Sequence, residues 1–304
     1  MKPKIMIGPS TFAATDALPL EKLKAAGFEV LPNPFGRKLT KAELAERLPG
    51  VAGLIAGLET LDRDVLAGSE LKVISRCGAG MENVDLVAAR EFGIRVYSTP
   101  DAPTAAVAEL TLAAMLSMLR SIPQMDRDMH DGKWNKRIGA QLAGKTVAVI
   151  GFGRIGRYVA RLLKSFGAVI LAVDPAVTAD DILKEGAKPS GTDEALAKAD
   201  IITIHVNGAN HIIGDKELKA VKRGVYILNG ARGCVIDERA LVRAIKEGRV
   251  AGVWCDAFPE EPYTGELTKY ESALLTPHVG SYTRECRSRM EAEAVENLIK
   301  GFGE

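Results

Sequence analysis

The stretch Lys145-Thr146-Val147-Ala148-Val149-Ile150-Gly151-Phe152-Gly153-Arg154-Ile155-Gly156 lies midway along a chain of 304 residues and decides how the rest is read. Lys145 to Ile150, apolar from Val147 onward, reads as a buried parallel strand. Arg154 to Phe166 carries apolar residues at helical spacing, so the glycines fall in a strand-to-helix turn. Gly151 then permits the tight turn, Gly153 lets backbone approach a pyrophosphate, and Gly156 lets helix and sheet pack closely. The positive end of the helix faces the phosphates. A second apolar run, Val169 to Val173, ends at Asp174, where a carboxylate accepts hydrogen bonds from the hydroxyls of an adenosine ribose. A 2′-phosphate there is repelled, so the pattern specifies NAD over NADP.

Because this turn comes so late, something of domain size precedes it, and the length suits two cores better than one. Lysine plus arginine, 40, nearly balance aspartate plus glutamate, 39, with no long run of one sign, which argues against nucleic acid or a membrane surface as partner. A small molecule is expected instead. The N-terminus enters a strand pattern at Lys4 to Ile7 without the apolar region of a secretory signal, and no apolar stretch approaches the ~20 residues of a membrane span, so a cytoplasmic location is expected. Cys77, Cys234, Cys255 and Cys286 lack CxxC spacing, so reduced thiols are expected, with no disulfide framework and no metal site.

Working outward, residues before 99 alternate strand and helix patterns: Ile5 to Ile7, Leu18 to Ala26, Phe28 to Leu31, Lys41 to Leu48, Val51 to Ala56, Leu71 to Ser75, Asp85 to Glu91 and Ile94 to Ser98. Thr104 to Leu119 reads as an apolar interdomain helix with one buried acid, Glu109, and with Met115 and Met118 as core filler. After Lys145, strands are predicted at 146–150, 169–173, 201–206, 225–228, 251–255 and 274–276, enough for six in a doubly wound sheet. Thr283 to Lys300 closes the chain as a polar helix with apolar spots at Met290, Ala294, Leu298 and Ile299, suited to crossing back onto the first domain. The expected fold is α/β: two doubly wound parallel-sheet domains, Rossmann-like or flavodoxin-like, the cofactor domain (99–283) inserted into a substrate domain (1–98 plus 284–304).

In such sheets ligands lie outside the carboxyl ends of the strands. Arg232 follows one strand end in N-G-A-R-G, Glu261 the next in D-A-F-P-E-E-P, and His278 the last in T-P-H-V-G. A guanidinium fork binds a carboxylate bidentately, and a histidine held by a carboxylate serves as acid or base. Singly, these would pass for a loop arginine, a solvated glutamate and a turn histidine. Their succession after three strand ends of one dinucleotide domain points to chemistry. His205 ends a strand on the adenosine side, while His130 and His211 read as solvated.

At these residues the chain resembles the D-isomer-specific 2-hydroxyacid dehydrogenases over nearly its whole length, with R-C-G-A-G-M-E-N-V-D from Arg76 and V-A-E-L-T from Val107 matching further blocks of the family. The resemblance implies that Arg232 holds the substrate carboxylate, Glu261 raises the basicity of the imidazole, and His278 exchanges the proton. It implies a cofactor site of Gly151, Gly153, Arg154, Ile155, Gly156, Asp174, His205, Val206, Ala231 and Asp256, the last on the nicotinamide carboxamide. The backbone of Cys77, Gly78, Ala79 and Gly80 would form part of the substrate carboxylate pocket, steadied by Asn83, with domain closure excluding water.

Within the family the chain is most similar to short phosphoglycerate dehydrogenases without a regulatory tail, and 3-phosphoglycerate is the first substrate expectation, with glyoxylate, hydroxypyruvate or another small 2-keto acid as the alternative. A binding protein that senses NAD, similar to the corepressors related to this family, is an alternative of another class. A homodimer through Thr104 to Leu119 and Ile122 to Trp134 is also expected. Three departures stand out. The loop A-G-L-E-T carries Glu59 where the family's phosphoglycerate enzymes place arginines, leaving Lys136, Arg137 or a partner subunit to supply charge for a phosphate. The family's H-x-P is His205-Val206-Asn207, followed by a shortened loop, and Glu82 replaces an aspartate.

Overall fold

The computed structural model describes residues 2–208 and 211–303, and the chain separates into two compact units, Met1–Pro103 with Ser281–Glu304, and Thr104–Gly280. The first unit is built from β1 (Lys4–Ile7), α1 (Leu18–Ala25), β2 (Glu29–Leu31), α2 (Lys41–Arg47), β3 (Val51–Ala56), α3 (Arg63–Ala67), β4 (Val73–Arg76), α4 (Leu86–Glu91) and β5 (Arg95–Ser98). Its sheet is parallel in the order β2-β1-β3-β4-β5. Alternate residues of β3 enter different cores: Leu54 and Ala56 pack on one face, Ile55 on the other. Local signals start the helices. Thr40 and Glu43 form a capping box on α2, and Asp62 and Asp85 cap α3 and α4. Helix α3 is absent from the sequence expectation because five residues are too few to show a period.

The second unit contains α5 (Thr104–Leu119), α6 (Ile122–His130), β6 (Thr146–Ile150), α7 (Arg154–Ser165), β7 (Val169–Val173), α8 (Ala179–Lys184), β8 (Lys188–Pro189), α9 (Thr192–Lys198), β9 (Ile201–Ile204), α10 (Asp215–Ala220), β10 (Val225–Asn229), α11 (Glu238–Lys246), β11 (Val250–Cys255) and β12 (Ala273–Leu275). The sheet runs β12-β11-β10-β9-β6-β7-β8, seven strands where six were expected. The added strand is β8, two residues paired beside β7, too short for alternation to show and ending in a proline that only an edge accommodates. On β6, Val147 and Val149 face one core while Ala148 and Ile150 face the other, which is why the run is apolar throughout.

Helix α5 packs on α7 and β11 with Ala108, Thr111, Met115 and Leu119 buried. Glu109 is exposed, contrary to the sequence expectation, because it lies about 100° round the helix from Ala108 and outside that stripe. The apolarity of α5 thus serves a core, and no single helix among the described residues is long and apolar enough to cross a membrane.

Helix α12 (Arg284–Gly303) returns to the first unit and buries Met290, Ala294, Val295 and Leu298 against β3, β4 and β5. Gly301 lets it lie close, since a Cβ there would be 2.8 Å from both Val73 and Tyr97.

Candidate active site

The order of the second sheet reverses between β6 and β9, which puts the crevice of this unit where Gly151 and His205 leave their strands. The two backbones nearly touch. Gly151 has φ 89°, and a Cβ on it would stand 2.6 Å from the His205 carbonyl carbon and oxygen. At Gly156 a Cβ would lie 2.0 Å from the Gly151 oxygen, so only glycine allows α7 to start against β6. At Gly153, by contrast, a Cβ would meet nothing within 4 Å. Gly153 caps α7 without a side-chain acceptor, so no carboxylate or hydroxyl from the cap takes a first-turn N–H. This is a cradle that fits a pyrophosphate.

Asp174 follows β7. One oxygen of its carboxylate accepts from the Phe152 N–H at 2.8 Å and the other from the Ala176 N–H at 2.9 Å, which locks the turn and leaves further lone pairs for hydroxyl donors. His205 is buried, its Nε2 2.8 Å from Thr203 Oγ1 and its Nδ1 without a partner, and burial pulls its imidazole down to about 4. Val206 packs half-buried beside it. The shortened loop expected after Asn207 includes Ala209 and Asn210, which lie outside the described residues.

Beyond β10, the buried Asn229 organises the next loop. Its Oδ1 accepts from the Ala231 N–H at 3.0 Å while its Nδ2 donates to the Arg232 carbonyl at 2.9 Å. The Arg232 guanidinium, half-buried, donates to the Ala231 carbonyl at 2.9 Å. A Cβ on Gly233 would be 2.0 Å from the Phe258 carbonyl carbon, so this glycine lets the arginine loop press against the loop after β11.

That loop carries Glu261, and the one after β12 carries His278. The imidazole Nδ1 is 3.0 Å from each carboxylate oxygen of Glu261. Glu261 also accepts from the Phe258 N–H at 3.1 Å, and the Phe258 and Tyr263 rings stack at 4.2 Å, bracing the segment. His278 has φ 53°, a left-handed conformation that costs a non-glycine residue energy and is sustained by its neighbours. They are supplied by Asp256. Its buried carboxylate accepts from the Thr276 hydroxyl at 2.6 Å, the Val279 N–H at 2.9 Å and the Gly280 N–H at 2.8 Å, holding the backbone on both sides of His278. Thr276 in turn accepts from Trp254 Nε1 at 3.0 Å. Asp256, for which a contact to the nicotinamide carboxamide is expected, braces the histidine loop. The sequence reading missed Asn229, Thr276 and Trp254, for which N-G-A-R-G and T-P-H were the available signals.

The predicted substrate loop belongs to the first unit. The Cys77 N–H donates to the Ala56 carbonyl at 2.8 Å and the Gly78 N–H to Thr99 Oγ1 at 2.8 Å, while the Arg76 guanidinium donates to the Cys77 carbonyl. Ala79 is exposed and Gly80 half-exposed. Asn83 Nδ2 donates to the Gly57 and Glu59 carbonyls at 3.2 and 2.6 Å. Near Cys77, whose thiol burial pushes up to about 12, Arg287 pairs with the buried Glu291 at 2.6 Å, and Glu291 accepts from the Ala13 N–H at 2.9 Å. This pair was also missed, although its i,i+4 spacing on α12 was visible. In the second unit, Arg137 pairs with Asp128 at 3.2 Å and Glu271 at 3.7 Å, and Lys136 is exposed. Among the described residues no cluster of histidine, cysteine and carboxylates is arranged to hold a metal.

A family model described as D-isomer specific 2-hydroxyacid dehydrogenase, NAD binding domain, matches residues 112–280. The D-3-phosphoglycerate dehydrogenase of Archaeoglobus fulgidus is 36% identical over 276 residues, covering 87% of this chain and 52% of the relative. The human D-3-phosphoglycerate dehydrogenase is 36% identical over 290 residues, covering 92% and 54%. The chain thus spans about half the length of these curated relatives. The crystal structure of a glyoxylate reductase from Paecilomyes thermophila superposes with a TM-score of 0.87 at 31% identity, covering 98% of this chain and 94% of that one. The glycine cradle and the strand-end residues of the second unit lie inside the matched domain, and the chain belongs to the D-isomer specific 2-hydroxyacid dehydrogenase family.

Proposed function

We propose that the chain interconverts a 2-keto acid and a D-2-hydroxy acid with NAD, the second unit binding cofactor and the first contributing the substrate carboxylate pocket. The observation that carries this reading is the Glu261–His278 pair, both carboxylate oxygens on Nδ1, at the strand ends of the domain that holds the dinucleotide cradle. With Nδ1 so engaged, Nε2 is the nitrogen that exchanges a proton with substrate. Gly151, Gly153, Arg154, Ile155 and Gly156 would hold the pyrophosphate, and Asp174 the ribose; NADH, when bound, would supply a hydride for the carbonyl carbon. Arg232 grips the substrate carboxylate and polarises the keto group, and His278 delivers the proton to the keto oxygen. The amides of Cys77 and Gly78 are spent on their own chain, so backbone donation to the substrate carboxylate falls to Ala79 and Gly80.

The substrate is a phosphorylated acid, as the names of the curated relatives suggest, or a small one such as glyoxylate or hydroxypyruvate. A panel of 2-keto acids with NADH and NADPH tests the reading: turnover of at least one with NADH preferred is expected, with Asp174→Ala narrowing the preference. NADH binding without turnover of any would favour the sensor alternative. A cytoplasmic homodimer completes the proposal. Its support is the exposed apolar set of Ile122 and Met129 on α6 and Trp134 and Ile138 after it, and sedimentation should give one species of twice the chain mass.

A further inference from the structure

An exposed loop of the second unit carries Glu261, and two aromatic rings beneath it supply the hold. Between Ala257 and Leu267, both buried, Pro259, Glu260, Pro262 and Thr264 are exposed, and the Glu261 side chain is itself 33% exposed. Phe258 and Tyr263 turn inward instead, their rings stacked at 4.2 Å and packed against the core. Tyr263 also makes a polar link. Its hydroxyl donates to Glu238 Oε1 at 2.8 Å and accepts from the Leu267 N–H at 3.1 Å, and the same Glu238 oxygen accepts from the Glu266 N–H at 3.3 Å. Glu238 opens α11, where the positive end of the helix favours a carboxylate. A Cβ on Gly265 would stand 2.5 Å from the Tyr263 hydroxyl, so glycine is what admits the phenol there. Burial pushes the phenol up from its ordinary value, and the Glu238 carboxylate adds to this against the pull of the Leu267 N–H, so the hydroxyl remains a donor. The path to the reacting pair is short: Tyr263 stacks on Phe258, whose N–H donates to Glu261 Oε1 at 3.1 Å, and that oxygen lies 3.0 Å from His278 Nδ1.

Resting on the dehydrogenase reading above, we propose that Tyr263 and Glu238 are positioning residues of the Glu261–His278 pair, their hydroxyl–carboxylate link fixing the loop so that both Glu261 oxygens stay on Nδ1. A solvent-exposed ion pair gains little unless its partners are held in one geometry. Without the link the Glu261 carboxylate swings into water, and the imidazole loses the charge that favours its protonated form. The effect falls on proton transfer rather than on NADH affinity.

The test is a double-mutant cycle of Glu261→Gln with Tyr263→Phe, which keeps the ring and its stack and removes only the hydroxyl. Tyr263→Phe should lower kcat about three- to tenfold, leave KM for NADH nearly unchanged and move the keto-acid limb of the kcat/KM profile to lower pH, the direction expected of Glu261→Gln. Acting through Glu261, it should cost nothing further in the Glu261→Gln background, whereas a merely structural brace costs the same in both. Glu238→Ala should reproduce Tyr263→Phe. Asp256 and Glu260 on the same loop and Arg232 after β10 carry the neighbouring charges, which Tyr263→Phe leaves in place. A nuclear magnetic resonance titration of the His278 imidazole, identified by its loss in His278→Ala, reads the coupling without turnover, and its midpoint should fall in Tyr263→Phe. If no keto acid is reduced yet the midpoint falls, the dehydrogenase reading fails and the positioning role stands. A midpoint unmoved in folded Tyr263→Phe and Glu238→Ala proteins, or a kcat loss that adds to that of Glu261→Gln, overturns it.

Discussion

His205 lies past the end of β9 with its ring inside the fold, and burial alone holds it neutral down to about 4, whereas an unfolded chain protonates near 6.5. Between those values the unfolded state binds more protons, so the histidine removes stability as pH falls through that window, about 2 kcal/mol between about pH 7 and about pH 5. Unfolding free energies from urea titrations at the two pH values should diverge by that much more in the wild type than in His205→Gln; parallel behaviour would mean the ring is solvated. Arg232 makes a different claim, since its fork binds a carboxylate in a way a lysine point charge cannot. Arg232→Lys should raise KM for the keto acid roughly tenfold or more and leave NADH affinity nearly unchanged. Equal losses in both would place the guanidinium on the cofactor.

At the level of elements, the loops after β11 and β12 behave as one piece because Asp256 holds Thr276, Val279 and Gly280 around His278. Asp256→Asn replaces an acceptor oxygen with an amino group facing these donors, and should cost about 2–4 kcal/mol of stability. Thr276→Val, which keeps volume and removes the hydroxyl that accepts from Trp254 and donates to Asp256, should lower kcat more than it raises KM, since it loosens the placement of His278 without touching substrate. Calorimetry with steady-state kinetics on both variants checks this; unchanged kcat in Thr276→Val would show that the link does not position the ring. The strand and helix that flank Gly151 to Gly156 were legible in the sequence because the strand is an unbroken apolar run buried on both faces and the helix repeats its apolar residues at a period of 3.6. The Trp254–Thr276–Asp256 chain was not. It joins segments separated by about twenty residues through single polar atoms, and nothing repeats. Strand β8 and helix α3 escaped for a related reason, being shorter than one readable period.

On the scale of the molecule, the interruption of the first unit by the second could be read from the position of the glycine turn and the apolar stripe of the closing helix. The packing at the strand ends of the first unit was less legible. Glu59 could be seen as an acid in the wrong loop for a phosphate, but its burial between Gly8 and Gly57 follows from strand order, which no local pattern encodes. The i,i+4 spacing of Arg287 and Glu291 was visible, but the reach of Glu291 to Ala13 across 278 positions is silent in the sequence. The proposed reaction requires His278 and Glu261 to move the proton together. Reduction consumes the imidazolium and oxidation the neutral ring, so kcat/KM for the keto acid should fall as pH rises and kcat/KM for the hydroxy acid should fall as pH drops, in mirror image. The measurement is that pair of pH profiles for the wild type and Glu261→Gln, with His278→Ala as reference. Loss of the Glu261 charge should move both limbs to lower pH, and His278→Ala should lose most turnover while still binding NADH. Limbs unmoved by Glu261→Gln, or near-normal kcat in His278→Ala, would mean that the proton travels by another route.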